Sequence, residues 1–352
     1  MTGDIRFGVW ALTEGTWHSR RHPDDPFDAS WERNKRQVME AEALGFDSTL
    51  LAQHTVNPFG DQYDELEPWT AAAALAALTE RIELIVAIKP TLYHATVLAK
   101  MALQVEEISA GRLSLNVVNA WFRPEFEKAG LAFAEHDERY AIGAEWLEVV
   151  RSLISGERTT FHGSYLDVDD YVLRPASRWR ERPRIYVGGE SEPAQDLATR
   201  LADVWFINGK PVDAVAKLTH SMSSRPRTGA PVAFGLSAFV IARESDEQAT
   251  SELAYLSELA EEDAEEKVRL YANSDQKSVM LQAAVRERPV GTNGGTAAGL
   301  VGSYDSVADR IVRFHDVGIE TFMLQFQPFE AEMRRFAHEV VPRVRRLLGV
   351  NR

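Results

Sequence analysis

The chain has no cysteine among its 352 residues, which excludes disulfides, thiolate-bound metals and a thiol nucleophile together. It has no long apolar run either. Ile82–Ile88 and Ala71–Leu78 contain or abut charges and fall well short of the roughly 20 residues that a membrane span needs. The opening Met-Thr-Gly-Asp-Ile-Arg-Phe lacks the basic-then-apolar layout of a signal peptide, so the expected location is the cytoplasm. Basic residues are in deficit: 39 Lys and Arg against 53 Asp and Glu leave a net charge of −14, the wrong sign for a binder of nucleic-acid phosphates. No H-x-H or H-E-x-x-H occurs among the nine histidines, so no metal site is expected. His18, His22, His220, His315 and His338 read as surface helix or loop positions. What remains is a protein acting on a small molecule, without nucleic acid, membrane or metal.

A hydrophobic share of 45% is ample for a large core. β-Branched or aromatic runs at Arg6–Leu12, Asp47–Gln53, Ile82–Ile88, Leu113–Asn119, Arg184–Gly188, Asp203–Asn208, Ala233–Ala242 and Thr321–Phe326 read as strands. Most are continuously apolar, as strands covered on both faces must be. Helical patterns alternate with them. Ser30 caps one that Gly45 stops, Pro68 sits in the first turn of another, and Thr96–Ser109 ends at Ala110-Gly111. Asp305 opens one that Gly318 stops. Eight strands alternating with helices predict an α/β chain folded as a (β/α)8 TIM barrel, a single domain over 1–352 with insertions at the strand C-terminal face. An open doubly wound sheet is the rival. It would show a Gly-rich turn after its first strand, where this chain has Thr-Glu-Gly-Thr-Trp. Ser155–Ser177 and Glu244–Gly302 exceed what a minimal barrel needs; the second is expected to be a lid, or else an inert insertion.

Barrel enzymes carry their chemistry just beyond the strand C-termini. That rim holds Trp10, Gln53 and His54, Lys89, Asn116 and Asn119, Gly188–Ser191, Asn208, Gln325 and Gln327. It is amide-rich and shows no paired carboxylates of the glycosidase kind. Gly188-Gly189-Glu190-Ser191 with Pro193 is a strand–turn–helix junction, suited to a phosphate or simply a capped turn. Arg139 and Tyr140 offer a charged fork and a hydroxyl for the same anion, or else a capping segment with internal ion pairs. His54 could be a base, a ligand clamp or a satisfied hydrogen-bonding group.

Taken together, Thr91–Arg112, Leu113–Phe126, His136–Tyr140 and Gly188–Ser191 resemble the bacterial-luciferase-like flavin monooxygenases. The resemblance runs from about Phe7 to Leu347 and is nearest the branch of dimethyl-sulfone and alkanesulfonate monooxygenases and pyrimidine oxygenase. It implies a (β/α)8 barrel that takes FMN as FMNH2 from a separate NAD(P)H:flavin reductase, reacts it with O2 and oxygenates a small organic substrate, sulfone- or sulfonate-like or pyrimidine-like. It also implies a homodimer or homotetramer. Gln53 and His54 would lie beside the flavin ring, with Asn116 and Glu125 against it. Arg139, Tyr140 and Ser191 would hold the phosphate. His54 and Asn116 would be the catalytic groups, and Trp10, Trp121, Gln325 and Gln327 would line the substrate pocket. Glu190 stands where the sulfonate branch has a serine, which weakens the sulfonate reading more than the flavin one. A deazaflavin-dependent oxidoreductase on the same barrel, or a flavin-binding relative without catalysis, are the alternatives.

Overall fold

The computed structural model describes residues 5–279, 282 and 289–349. Eight parallel strands close into a barrel: β1 (Arg6–Trp10), β2 (Ser48–Leu51), β3 (Glu83–Ile88), β4 (Leu113–Val117), β7 (Arg184–Gly188), β8 (Val204–Ile207), β9 (Ala233–Phe239) and β12 (Ile319–Gln325). Each pairs with the next barrel strand in the sequence, and β12 returns to β1 with Phe7 opposite Phe322. In this closed order β1 and β7 stand diametrically across from one another. The continuous apolar runs make sense here, because one face of each strand fills the barrel and the other meets the helices. The interior is tight: a Cβ on Gly8 would stand 2.3 Å from Ser48 Oγ, so only glycine fits there.

The helices form where their caps predicted. In α1 (Trp31–Ala43) Ser30 accepts from the Arg33 N–H, and Gly45 ends the segment at φ +86°. Helix α2 (Pro68–Leu78) carries its proline in the first turn and is capped by Glu67. Helix α3 (Ala95–Ile108) stops where Ala110 and Gly111 both turn left-handed. A short α4 (Arg123–Glu127) and the long α5 (His136–Ile154) follow β4. Among the described residues no helix is long and apolar enough to cross a membrane.

Three features depart from the expectation. The two long segments lie at opposite ends of the barrel. Within Ser155–Ser177 an antiparallel hairpin, β5 (Thr159–His162) with β6 (Asp167–Tyr171), joins a helix to the next strand, and so lies away from the strand C-termini. The apolar run Ala233–Ala242 is two strands. Val240 donates to Gln325 O on the barrel side, whereas Ile241 donates to Leu300 O, so that β10 (Ile241–Arg243) leaves the barrel and pairs with β11 (Val301–Ser303). Between those strands run α8 (Asp246–Glu262) and α9 (Ala264–Ala272), while 280, 281 and 283–288 of the expected lid lie outside the described residues.

His18, His22 and His315 are buried rather than exposed. His18 bonds Leu256 O of α8 through Nε2 and accepts the Gly291 N–H at Nδ1. His315, in α10 (Tyr304–Asp316), bonds Ile319 O. A polar residue with both ring atoms satisfied can sit in a core, and periodicity cannot distinguish it from a solvated one.

Candidate active site

The strand C-termini open into a cavity of about 540 Å³, with Trp10, Gln53, His54, Asn116, Trp121, Arg139, Tyr140 and Ser191 among its lining. Its roof comes from α8 and α9, which contribute Ser257, Lys267 and Tyr271. The roof is fastened to the loop after β1. Ser19 Oγ donates to Asp263, whose carboxylate also accepts the Arg20 N–H.

One wall is a buried charge cluster. Gln53 Oε1 accepts the Lys89 N–H at 2.7 Å, tying the end of β2 to the end of β3. The Lys89 ammonium bonds Glu125 Oε2 and lies 3.0 Å from His54 Nδ1. On its other edge, His54 Nε2 is 3.6 Å from Glu14 Oε1. Trp121 packs edge-on to the imidazole at 5.4 Å between centroids. Glu125 also accepts from the Thr55 N–H at 2.7 Å. Burial alone would raise its pKa, but the Lys89 ammonium and His54 outweigh it and hold the group at about 2. Burial pushes Lys89 below its ordinary value, with Glu125 opposing. Glu65 completes the cluster. Burial and then the Glu14 carboxyl push its pKa well up, and neither of its oxygens has a partner among the described residues.

The opposite wall is shaped for an anion. Gly189 adopts φ +113°, and a Cβ there would stand 2.9 Å from both Ala194 Cβ and Tyr140 Oη. Ser191 is the N-cap of α6 (Glu192–Leu201), yet its hydroxyl makes no capping bond; its buried Oγ lies beside the Tyr140 hydroxyl and has no well-formed hydrogen bond among the described residues. Burial raises the pKa of Tyr140, keeping it a neutral hydroxyl. These donors and the free N–H groups at the start of α6 converge on one place. Asn116 Oδ1, between the two walls, also lacks a partner among the described residues.

Some expected residues are placed differently. Arg139 lines the cavity, but its Nε donates to Asn119 O, one terminal nitrogen to Ala134 O and the other to Asp275. Glu125 lies behind His54 and is held by Lys89 and Thr55. Gln325 and Gln327 do not line the cavity. Gln325 exchanges hydrogen bonds with Thr292, and Gln327 bonds Thr16, Ser19 and Asp25, so both amides are spent holding loops. Glu14, which the sequence did not single out, joins Glu125 in approaching His54. Glu14 sits in the turn after β1 and had a positional signal. Glu65 was hidden in the acidic stretch Asp61–Glu67, and Asp275 meets Arg139 from 136 residues away.

Comparison with known proteins agrees with this architecture. Residues 5–321 match the model of the luciferase-like monooxygenase family. The FMNH2-dependent dimethylsulfone monooxygenase of Pseudomonas putida is 30% identical over 99% of this chain and 97% of its own length. Two solved structures share the fold at 20% identity: a long-chain alkane monooxygenase, with a TM-score of 0.81 over 100% of this chain and 93% of that one, and a riboflavin lyase bound to modified FMN and riboflavin, with 0.80 over 99% and 93%.

Proposed function

The chain belongs to the luciferase-like monooxygenase family and is a flavin-dependent monooxygenase using reduced FMN and O2; on that premise we propose that it is the oxygenating half of a two-component system, fed with FMNH2 by a separate reductase and acting on a small sulfone-like substrate.

The single observation that carries this reading is the set of buried polar atoms without a well-formed hydrogen bond among the described residues, Ser191 Oγ and Asn116 Oδ1, around a cavity of about 540 Å³. A native fold leaves such atoms unpaired only where something else satisfies them. FMN fits them. Its phosphate would be held by Ser191, Tyr140 and the first N–H groups of α6, in a cradle that a side chain at 189 would fill. Arg139 would join them to the extent that Asp275 yields it. Gln53 and Asn116 would meet the polar edge of the ring, since amides match its donors and acceptors. Bound reduced FMN supplies the electrons that activate O2. His54, with a carboxyl on one edge and the Lys89 ammonium on the other, would hold or pass a proton at its Nε2. Trp10, Trp17, Trp121 and Phe206 keep the cavity wall apolar and exclude water.

The expected behaviour is a colourless purified protein, inactive with NADPH and FMN alone and active once an unrelated flavin reductase is added. A yellow preparation that oxidises NADPH by itself would contradict the two-component assignment.

A further inference from the structure

Five tryptophans are deeply buried, and four of their indoles are satisfied in the same way. Trp17 donates to Ala11 O, Trp69 to Ala87 O, Trp146 to Tyr93 O and Trp205 to Gly189 O, at 2.7–3.1 Å. Trp10 differs. It is 6% exposed, lines the cavity, and its Nε1 has no partner among the described residues. A buried donor in a well-packed wall needs an acceptor, and an indole N–H can do nothing but donate.

Its surroundings define that acceptor. Trp17 packs on Trp10 at 4.8 Å between centroids, and Phe206 faces it across the barrel mouth at 6.3 Å, making an aromatic corner suited to methyl and methylene groups. Glu14, four residues beyond Trp10, puts a carboxyl into the same cavity lining, 3.6 Å from His54 Nε2. Of the cations lining the cavity, Lys89 is paired with Glu125 and Arg139 with Asp275, whereas Lys267, bonded to Ala260 O, and Lys277, two residues beyond Asp275, belong to the roof segment. An anionic ligand packed against these rings would be desolvated in a cavity that also holds the Glu14 carboxyl, with the cations of the two walls already paired. The corner is also remote from the phosphate cradle, because β1 and β7 face each other across the barrel.

We propose that the Trp10 indole N–H donates to an oxygen of the substrate, and that the Trp10–Trp17–Phe206 corner selects an uncharged, oxygen-bearing small molecule of the sulfone type over its anionic sulfonate counterpart. This rests on the flavin reading above for the place of the cofactor, but not for the contact itself.

The test follows the Trp10 indole resonance of the ¹⁵N-labelled full chain, assigned by its loss in Trp10→Phe. Dimethyl sulfone and methanesulfonate are the probes, each added with and without oxidised FMN. Dimethyl sulfone is expected to shift that resonance and methanesulfonate to leave it in place. Trp10→Phe, which keeps an aromatic wall, should bind dimethyl sulfone roughly three- to tenfold more weakly with FMN affinity unchanged. The inference is overturned if FMN alone moves the resonance and the sulfone adds nothing, if methanesulfonate moves it as strongly, or if dimethyl sulfone at saturation leaves it unmoved. FMN failing to bind at all would overturn the flavin reading, while the shift with sulfone alone would still decide the role of Trp10.

Discussion

Asp275, just beyond α9, holds the guanidinium of Arg139 at the start of α5. The contact is buried on the arginine side, and the guanidinium also stacks on Phe133 at 4.2 Å. Around it the roof segment is stitched to the loop after β4, with Asp275 N–H donating to Trp121 O and Arg123 N–H to Asn273 O. A phosphate arriving beside Tyr140 would compete with a carboxylate for the same fork.

Asp275→Asn removes that competitor while keeping a hydrogen-bonding side chain. FMN affinity should rise about three- to tenfold, the size of one charge-assisted contact in a partly solvated site, with riboflavin affinity unchanged. Fluorescence quenching titrations with the two flavins measure this. Equal changes for both would show that the pair acts on the roof and not on the phosphate.

Two buried groups, His18 and Glu125, predict acid lability in two windows. His18 is buried neutral with its pKa lowered by burial from 6.5 to about 4, so the unfolded chain binds more protons and stability falls as pH drops from 6.5 toward 4. Glu125 has its pKa lowered from 4.5 to about 2, so its contribution is intact above 4.5 and lost as pH falls toward 2. Each is of the order of 3 kcal/mol when fully expressed. Lys89→Met should abolish the second window and strand Glu125, costing about 3–5 kcal/mol at neutral pH in urea unfolding. A loss below about 1 kcal/mol would mean that the pair is solvated.

Glu65 titrates in the opposite sense. A carboxyl whose pKa is raised in the fold holds its proton while the unfolded chain releases it, so stability falls as pH rises above the ordinary value of 4.5. Both its oxygens lack partners among the described residues, so an isosteric neutral amide gives up no bond. Glu65→Gln should therefore raise Tm at pH 8 and change it little at pH 4. A lower Tm at both would show a hydrogen bond through water that the amide cannot keep.

Much of this was legible in the chain. All eight barrel strands were marked by apolar runs, and Ser30, Pro68 and Gly45 marked helix ends, because caps and both-face burial are local signals. That Gly188–Ser191, Gln53, His54 and Asn116 meet on one cavity followed from their places at strand ends. The partners did not. Lys89 is 36 residues from Glu125, and Gln327 reaches Ser19 across 308, so only the closed barrel decides which polar groups meet. Gln325 and Gln327 therefore looked like pocket residues, whereas their amides brace loops. The break at Val240 was hidden for a similar reason: both halves of the run are apolar, and only their hydrogen-bond partners differ.

The central claim, that this chain oxygenates a substrate with reduced FMN it does not make itself, is tested most directly with photochemically reduced FMN and ¹⁸O2. In the presence of dimethyl sulfone and without any NAD(P)H or reductase, the product should carry one labelled oxygen atom, and oxidised FMN with NADPH should give none. Product free of label, or turnover that depends on NADPH or a reduced deazaflavin with no FMNH2 present, would contradict the account.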